Sequence, residues 1–281
     1  MAHWMRNVLV AAALALSFGA AHAFDLGDVL KKAIEQGTQQ PGDKQGNPLG
    51  GFSQQEEIAI GRQIAGNLLG ASPLVKDKQL QKYVNNVGRW VASQSERPDL
   101  EWHFGVIESG DVNAFAAPGG YIFVTRGLYK LLGNEADLAG VLGHEIGHVI
   151  EKHHLKILQQ SRLLDLGAKL FAKESGESDK IKNLIGSGAE VVARSLDKNA
   201  EFEADRIAVV LAARAGYEAY GLPEVLQQIG HYANDDGNVA LLFKTHPHPD
   251  ERLARLGEAM DERFDKLKGQ ALAGRFYRIK P

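Results

Sequence analysis

Residues 144–148 read His144-Glu145-Ile146-Gly147-His148, an HExxH pentapeptide. On an α-helix, positions i and i+4 lie about 40° apart around the axis and one turn apart in height, so His144 and His148 can grip one metal ion from the same face. Glu145 falls on the adjacent side, where its carboxylate can meet a water held at such an ion without binding the ion itself. The chain carries ten histidines. A chance HExxH is therefore expected in about a few per cent of such sequences, and the surrounding residues have to decide whether this one is chemical.

Two imidazoles leave a tetrahedral site short of a third protein ligand. One arrangement is HExxHxxGxxH, in which a glycine ends the helix and lets a later histidine swing back. Here His154 holds the last position, but Glu151 stands where the glycine would be. A helix running on would carry His154 roughly 9 Å beyond His148 and about 120° around the axis, so His154 is not expected to reach the ion. The other arrangement brings a carboxylate from a second helix, and the acidic run Glu201-Phe202-Glu203-Ala204-Asp205 offers one. Glu201 and Asp205 are i and i+4, so one face can present a ligand and an acceptor for the far nitrogen of a liganding histidine. Glu203 faces elsewhere. Acidic residues also suit a helix start through the macrodipole, and only the HExxH tips this cluster toward a metal.

The composition narrows the chemistry further. The 281 residues are 44% hydrophobic with a net charge of -3, enough for one large or two modest domains. No long basic run offers the footprint that nucleic-acid binding needs. Cysteine is absent, which excludes disulfides, thiol nucleophiles, iron–sulfur clusters and Cys-ligated zinc. Any metal must sit on histidines and carboxylates. At the start of the chain, Arg6, an apolar run from Val8 to Phe18 and the ending Ala21-His22-Ala23 predict a signal peptide over residues 1–23, cleaved after Ala23. The run is shorter than the roughly 20 residues of a spanning helix, and no cysteine follows it for lipid attachment. The expected mature chain is soluble and exported, neither a lipoprotein nor a membrane-spanning protein.

Residues 24–51 read as an N-terminal stub and flexible linker, rich in Gly, Gln, Pro and Asn from Gly37 to Gly51. The folded domain is expected over residues 52–281. Ser53 and Glu56 make a capping box ahead of a stripe of Ile58, Ile60, Ile64, Leu68 and Leu69, and Leu80, Tyr83, Val84, Val87 and Val91 mark a second helix. From Trp102 to Thr125 the period changes to two, with a Pro118-Gly119-Gly120 turn, which predicts a small antiparallel sheet. Asn134 then caps a helix expected to run through His154, and further helices fit Leu155 to Lys173, Ile181 to Leu196, Asn199 to Ala215, Pro223 to Tyr232 and Asp250 to Leu267. The fold class is α+β, mostly helical, with the small sheet beside the HExxH helix.

Together, HEIGH with Val149 and Lys152-His153, the downstream acidic run from Glu201 to Asp205, and Asn113-Ala114-Phe115-Ala116 ahead of Pro-Gly-Gly and Tyr121-Ile122-Phe123-Val124 resemble family forty-eight of the zinc metallopeptidases. The resemblance covers roughly Phe52 to Leu256 and rests on three motifs in the right order. It implies a gluzincin-type domain holding one Zn2+ per chain, with His144, His148 and Glu201 as ligands, Glu145 as general base and Asp205 behind a liganding histidine. The chemistry of the residues agrees, because a His2Glu set leaves a fourth position for a water whose pKa falls toward about 7. Membrane-embedded members of the family carry spanning helices that the mature chain is not expected to have.

The resemblance also favours Asn113, Ala114, Phe115 and Ala116 as an edge strand that pairs with an extended substrate through its backbone. In Thr245-His246-Pro247-His248-Pro249 two prolines set a rigid loop. His246 is expected either to reach the zinc site, as a latch or as a stabiliser of the oxyanion, or merely to fix a surface loop. Tyr217, Tyr220 and His231 are unranked alternatives for the oxyanion. The function expected is a periplasmic zinc endopeptidase hydrolysing unfolded or misassembled envelope proteins. The alternative is a zinc-stabilised, chaperone-like binding module with a latched or inactive site. No sugar, phosphate or nucleotide motif supports a hydrolase of another kind, and nothing in the sequence assigns an oligomeric state.

Overall fold

In the structure, a computed structural model, residues 51–160, 196–232, 236–260, 262 and 264–279 are described. The expected signal peptide 1–23, the stub up to residue 50 and the greater parts of the expected helices Leu155–Lys173 and Ile181–Leu196 lie outside these residues.

Helix α1 (Gln54–Ala71) starts at the Ser53–Glu56 capping box, with both reciprocal hydrogen bonds formed. Asp77 caps α2 (Lys78–Ala92) by accepting from the backbone of Gln79 and Leu80, and Leu80, Val84, Val87 and Val91 turn one face of α2 into the core. Three strands follow: β1 (His103–Ile107), β2 (Ala114–Ala117) and β3 (Tyr121–Thr125). The sheet is mixed and not wholly antiparallel as expected. Its order is β1-β3-β2, with β1 parallel to β3 and β2 antiparallel to it.

The tight Pro118-Gly119-Gly120 turn, with positive φ at both glycines, dictates the β2–β3 hairpin, as its residues predicted. The position of β1 is set from outside the sheet. The outer edge of β1 is covered by the chain at Pro73–Val75 and by the Gln81 side chain, which bonds both the N–H and the C=O of Val106. β1 therefore meets the sheet through its other edge, beside β3, and β2 becomes the opposite edge strand.

Helix α3 (Arg126–Leu131) follows β3 directly. Asn134 caps α4 (Glu135–Ile150), in which every residue from Glu135 to Val149 is buried. This is the central helix of the fold and carries the HExxH. α5 (Lys198–Arg214), α6 (Gly221–Gly230), α7 (Ala240–Thr245) and α8 (Pro249–Met260) complete the described helices. α5 and α6 lie within two residues of expectation, α8 stops well short of Leu267, and α7 is too short to show a period. The α+β, mostly helical class is borne out, and among the described residues no helix is long and apolar enough to cross a membrane.

α4 ends at Ile150 instead of running through His154. Lys152 adopts a left-handed backbone with φ 56°, and residues 153–160 start a new helical stretch. A left-handed lysine costs about 1–2 kcal/mol and gives none of the glycine signal by which a helix end is read.

α4 and α5 approach closely through small residues. A Cβ on Gly147 would stand 3.1 Å from the Ala204 Cα, and one on Gly143 would stand 3.0 Å from the Ala208 Cα. These neighbours are backbone atoms that cannot swing aside, so Gly147→Ala is expected to destabilise the protein by about 1–3 kcal/mol. Urea unfolding measures it, and an unchanged midpoint would show that the helix pair has slack.

Candidate metal centre

α4 presents His144 and His148, the first turn of α5 presents Glu201, and His246 caps the C-terminus of α7. All four are buried, and one ligand atom from each lies within 4.8 Å of the others. The Nε2 atoms of His144 and His148 are 3.0 Å apart. Glu201 Oε2 is 3.5 Å from His144 Nε2, and Glu201 Oε1 is 3.6 Å from His148 Nε2. A tetrahedral site with bonds near 2.0–2.1 Å has ligand–ligand edges of about 3.4 Å, so His144, His148 and Glu201 are spaced for one ion.

Two further observations fit a cation here. Glu201 Oε1 is buried with no hydrogen-bond partner among the described residues, a costly condition for a carboxylate oxygen. The two facing Nε2 atoms also have room for only one proton between them. A divalent ion would satisfy all three atoms.

The electrostatics favour positive charge at this point. Burial pushes the Glu201 carboxyl up, yet His246, His144 and His148 around it hold it well below its usual range. Burial and Arg252 work against the charge on His144, but the Asp205 and Glu201 carboxylates raise it to about 9. His148 is driven well below the usual imidazole value by burial and by His144 beside it. It is thus held neutral, the form that donates a lone pair to a metal.

Asp205 Oδ1 lies 2.8 Å from His144 Nδ1, which turns the other nitrogen toward Glu201. Behind Asp205 stands Arg252, whose Nη2 and Nε reach the two carboxylate oxygens at 2.6 and 2.9 Å. Arg252 is 4% and Asp205 1% exposed. Burial would raise the Asp205 carboxyl, but Arg252 and His144 hold it down to about 2. Arg252 lies three residues beyond the Thr245–Pro249 segment, and its residue type alone names no partner. His153, part of the Lys152-His153 pair but without a role assigned from the sequence, has its Nδ1 2.9 Å from His148 Nδ1. Glu203 indeed points away from the ligand cluster and pairs with His153.

Glu145 is buried between two recesses. One is apolar, lined by Leu128, Val141, Leu222, Val225, Ile229 and Leu242 with His144 and His246. The other is lined by Ala114, Phe115 and Ala116 of the edge strand with His148, His154 and His246. Burial raises the Glu145 carboxyl, and His144 and His246 pull it partly back. His154 stands closer than expected, its ring 5.8 Å from that of His148, because Lys152 breaks the helix. It is nevertheless not one of the four grouped ligand residues, and burial lowers it to about 4. Tyr217 donates to Glu135 at 2.8 Å, Tyr220 donates to Asp265, and His231 is exposed at the end of α6. None of these three lines either recess with Glu145.

Against known proteins, the sequence profile described as peptidase family M48 matches residues 78–260. The chain belongs to peptidase family M48. This is the family its motifs resemble, and the match spans every ligand candidate above. Among curated M48-type relatives, the beta-barrel assembly-enhancing protease of Escherichia coli K12 is 30% identical over 209 residues, covering 71% of this chain and 42% of that protein. The mitochondrial metalloendopeptidase OMA1 of Schizosaccharomyces pombe is 26% identical over 180 residues, 64% of this chain and 53% of that protein. The metalloprotease YcaL of Escherichia coli K12 is 28% identical over 152 residues, 53% of this chain and 59% of that protein. The chain thus spans less than half of the beta-barrel assembly-enhancing protease it matches.

Proposed function

We propose that this M48 metallopeptidase is an exported zinc endopeptidase that hydrolyses peptide bonds in unfolded or misassembled envelope proteins of the periplasm. The observation that carries the reading is the buried His144, His148 and Glu201 group with Glu145 beside it. The two-imidazole, one-carboxylate donor set favours zinc, one ion per chain. Export is supported by the pattern of residues 1–23, and an envelope substrate by the name of the Escherichia coli relative.

When bound, zinc supplies Lewis acidity to the scissile carbonyl and acidity to the attacking water. The chain's own groups do the rest. Glu145 makes no hydrogen bond to another described residue, so its carboxylate is free to take the water's proton and pass it to the leaving amine. Asp205, held by Arg252, keeps the His144 ring oriented. The β2 edge lines the recess that holds Glu145 and His148, where an extended chain can add to the sheet through its backbone with little side-chain preference.

His246 has its Nδ1 2.7 Å from Glu201 Oε2 inside the ligand cluster, which supports a latch that would close the site when zinc is bound. His246→Ala is accordingly expected to raise casein cleavage by the zinc-loaded protein several-fold. A fall in rate would assign His246 to the oxyanion instead. No cleavage by either form would leave the chaperone-like binding module as the better reading.

A further inference from the structure

His144 and His148 both turn Nε2 toward Glu201, leaving Nδ1 as the outer nitrogen of each ring. A metal-ligating imidazole donates its outer N–H to a fixed acceptor, which sets the tautomer and the ring orientation. For His144 that acceptor is the Asp205 carboxylate. For His148 it is another imidazole, with His153 Nδ1 at 2.9 Å.

Two ring nitrogens this close share one proton. His148 needs its Nε2 lone pair for an ion, so its Nδ1 carries the hydrogen and His153 Nδ1 accepts it. His153 is then protonated at Nε2, which faces Glu203 Oε2 at 3.3 Å. His153 is buried, whereas the Glu203 side chain is 43% exposed. The chain of contacts runs from the ligand to the surface.

The backbone is bent to make this contact. Had α4 continued, His153 would lie about 7.5 Å along the axis and about 140° around from His148, out of reach. Lys152 instead takes its left-handed conformation immediately before His153. A strained non-glycine residue persists only where its surroundings over-determine it. We infer that His153 is a positioning residue, which holds His148 in its ligand orientation by accepting the Nδ1 proton, while Glu203 fixes the His153 tautomer.

His153 has this role only if His148 is a metal ligand, so the test reads zinc affinity and not peptidase rate. Zinc dissociation constants of the full chain and its variants are measured by competition with a chromophoric chelator, alongside the thermal unfolding of each metal-free protein. His153→Phe, which keeps a ring but removes the acceptor, is expected to bind zinc about 10–100-fold more weakly. His153→Gln restores an acceptor and is expected to stay within about threefold of the parent. Glu203→Ala, on a half-exposed side chain, is expected to weaken zinc about threefold to tenfold with metal-free stability unchanged.

Parental affinity in His153→Phe overturns the inference, as does a Gln variant as weak as the Phe variant, which would reduce His153 to packing. If the Phe variant does not fold, parental affinity in Glu203→Ala is the overturning result. A parent protein that binds no zinc would remove the metal centre itself, a failure distinct from loss of the His153 role alone.

Discussion

Glu145→Gln lowers casein cleavage by about 10²–10⁴ while leaving bound zinc at the parental level. The two side chains have the same shape, and Glu145 is not among the grouped ligand atoms, so the ion has no reason to leave. What disappears is a group that can hold the water's proton between attack and departure of the amine. The raised carboxyl of Glu145 makes it a better proton acceptor than an exposed glutamate and so enlarges the loss. The comparison is best made in both the parent and the His246→Ala background, which removes the proposed latch, with metal content checked in every protein. Equal cleavage rates at equal zinc would remove Glu145 from the chemistry. Loss of zinc from the variant would instead assign it a structural role.

Arg252→Leu destabilises the metal-free protein at pH 7 by about 3–5 kcal/mol, because it leaves the Asp205 carboxylate buried and without its strong partner. The pair itself adds little net stability compared with an apolar pair, since both charges were taken out of water; breaking one half is what costs. Asp205 is held down to about 2, below the roughly 3.9 of an unfolded aspartate. Its contribution is therefore present above the unfolded value and is lost as pH falls through about 2. Urea unfolding reads the effect, and Asp205→Asn added to Arg252→Leu should recover part of it by removing the stranded charge. A single variant as stable as the parent would mean that water reaches Asp205.

The expected loss also says something about the site. Arg252 lies on α8 and Asp205 on α5, so their ion pair ties the last helix to the ligand helix. His246 stands three residues before α8 begins. The same contact that orients His144 thus anchors the segment that carries His246.

Much of this centre was legible in one dimension. His144 with His148, and Glu201 with Asp205, are i, i+4 pairs, and the helix period alone puts each pair on one face. That Glu201 joins the two histidines followed from the chemistry of a third ligand and from the family resemblance, and the structure groups all three. Capping residues located the starts of α1 and α4 for the same local reason, since a cap bonds to backbone within three residues of itself.

What depended on distant partners was not legible. The strand order turned on Gln81 and Pro73–Val75 covering one edge of β1, a contact with no trace in the alternation of the strands. The end of α4 turned on a left-handed Lys152, where no glycine marked the break, and that break brought His153 to His148. Arg252 and Asp205 are 47 residues apart, and neither residue type announces its partner. Residue types and helical spacing by themselves paired His144 with His148 and Glu201 with Asp205, because each of those relations closes within a turn of helix. Only the tertiary structure decided that Arg252 stands behind Asp205, that His153 stands behind His148 and where His246 lies, because burial and ion pairing are made between elements that the chain brings together only on folding.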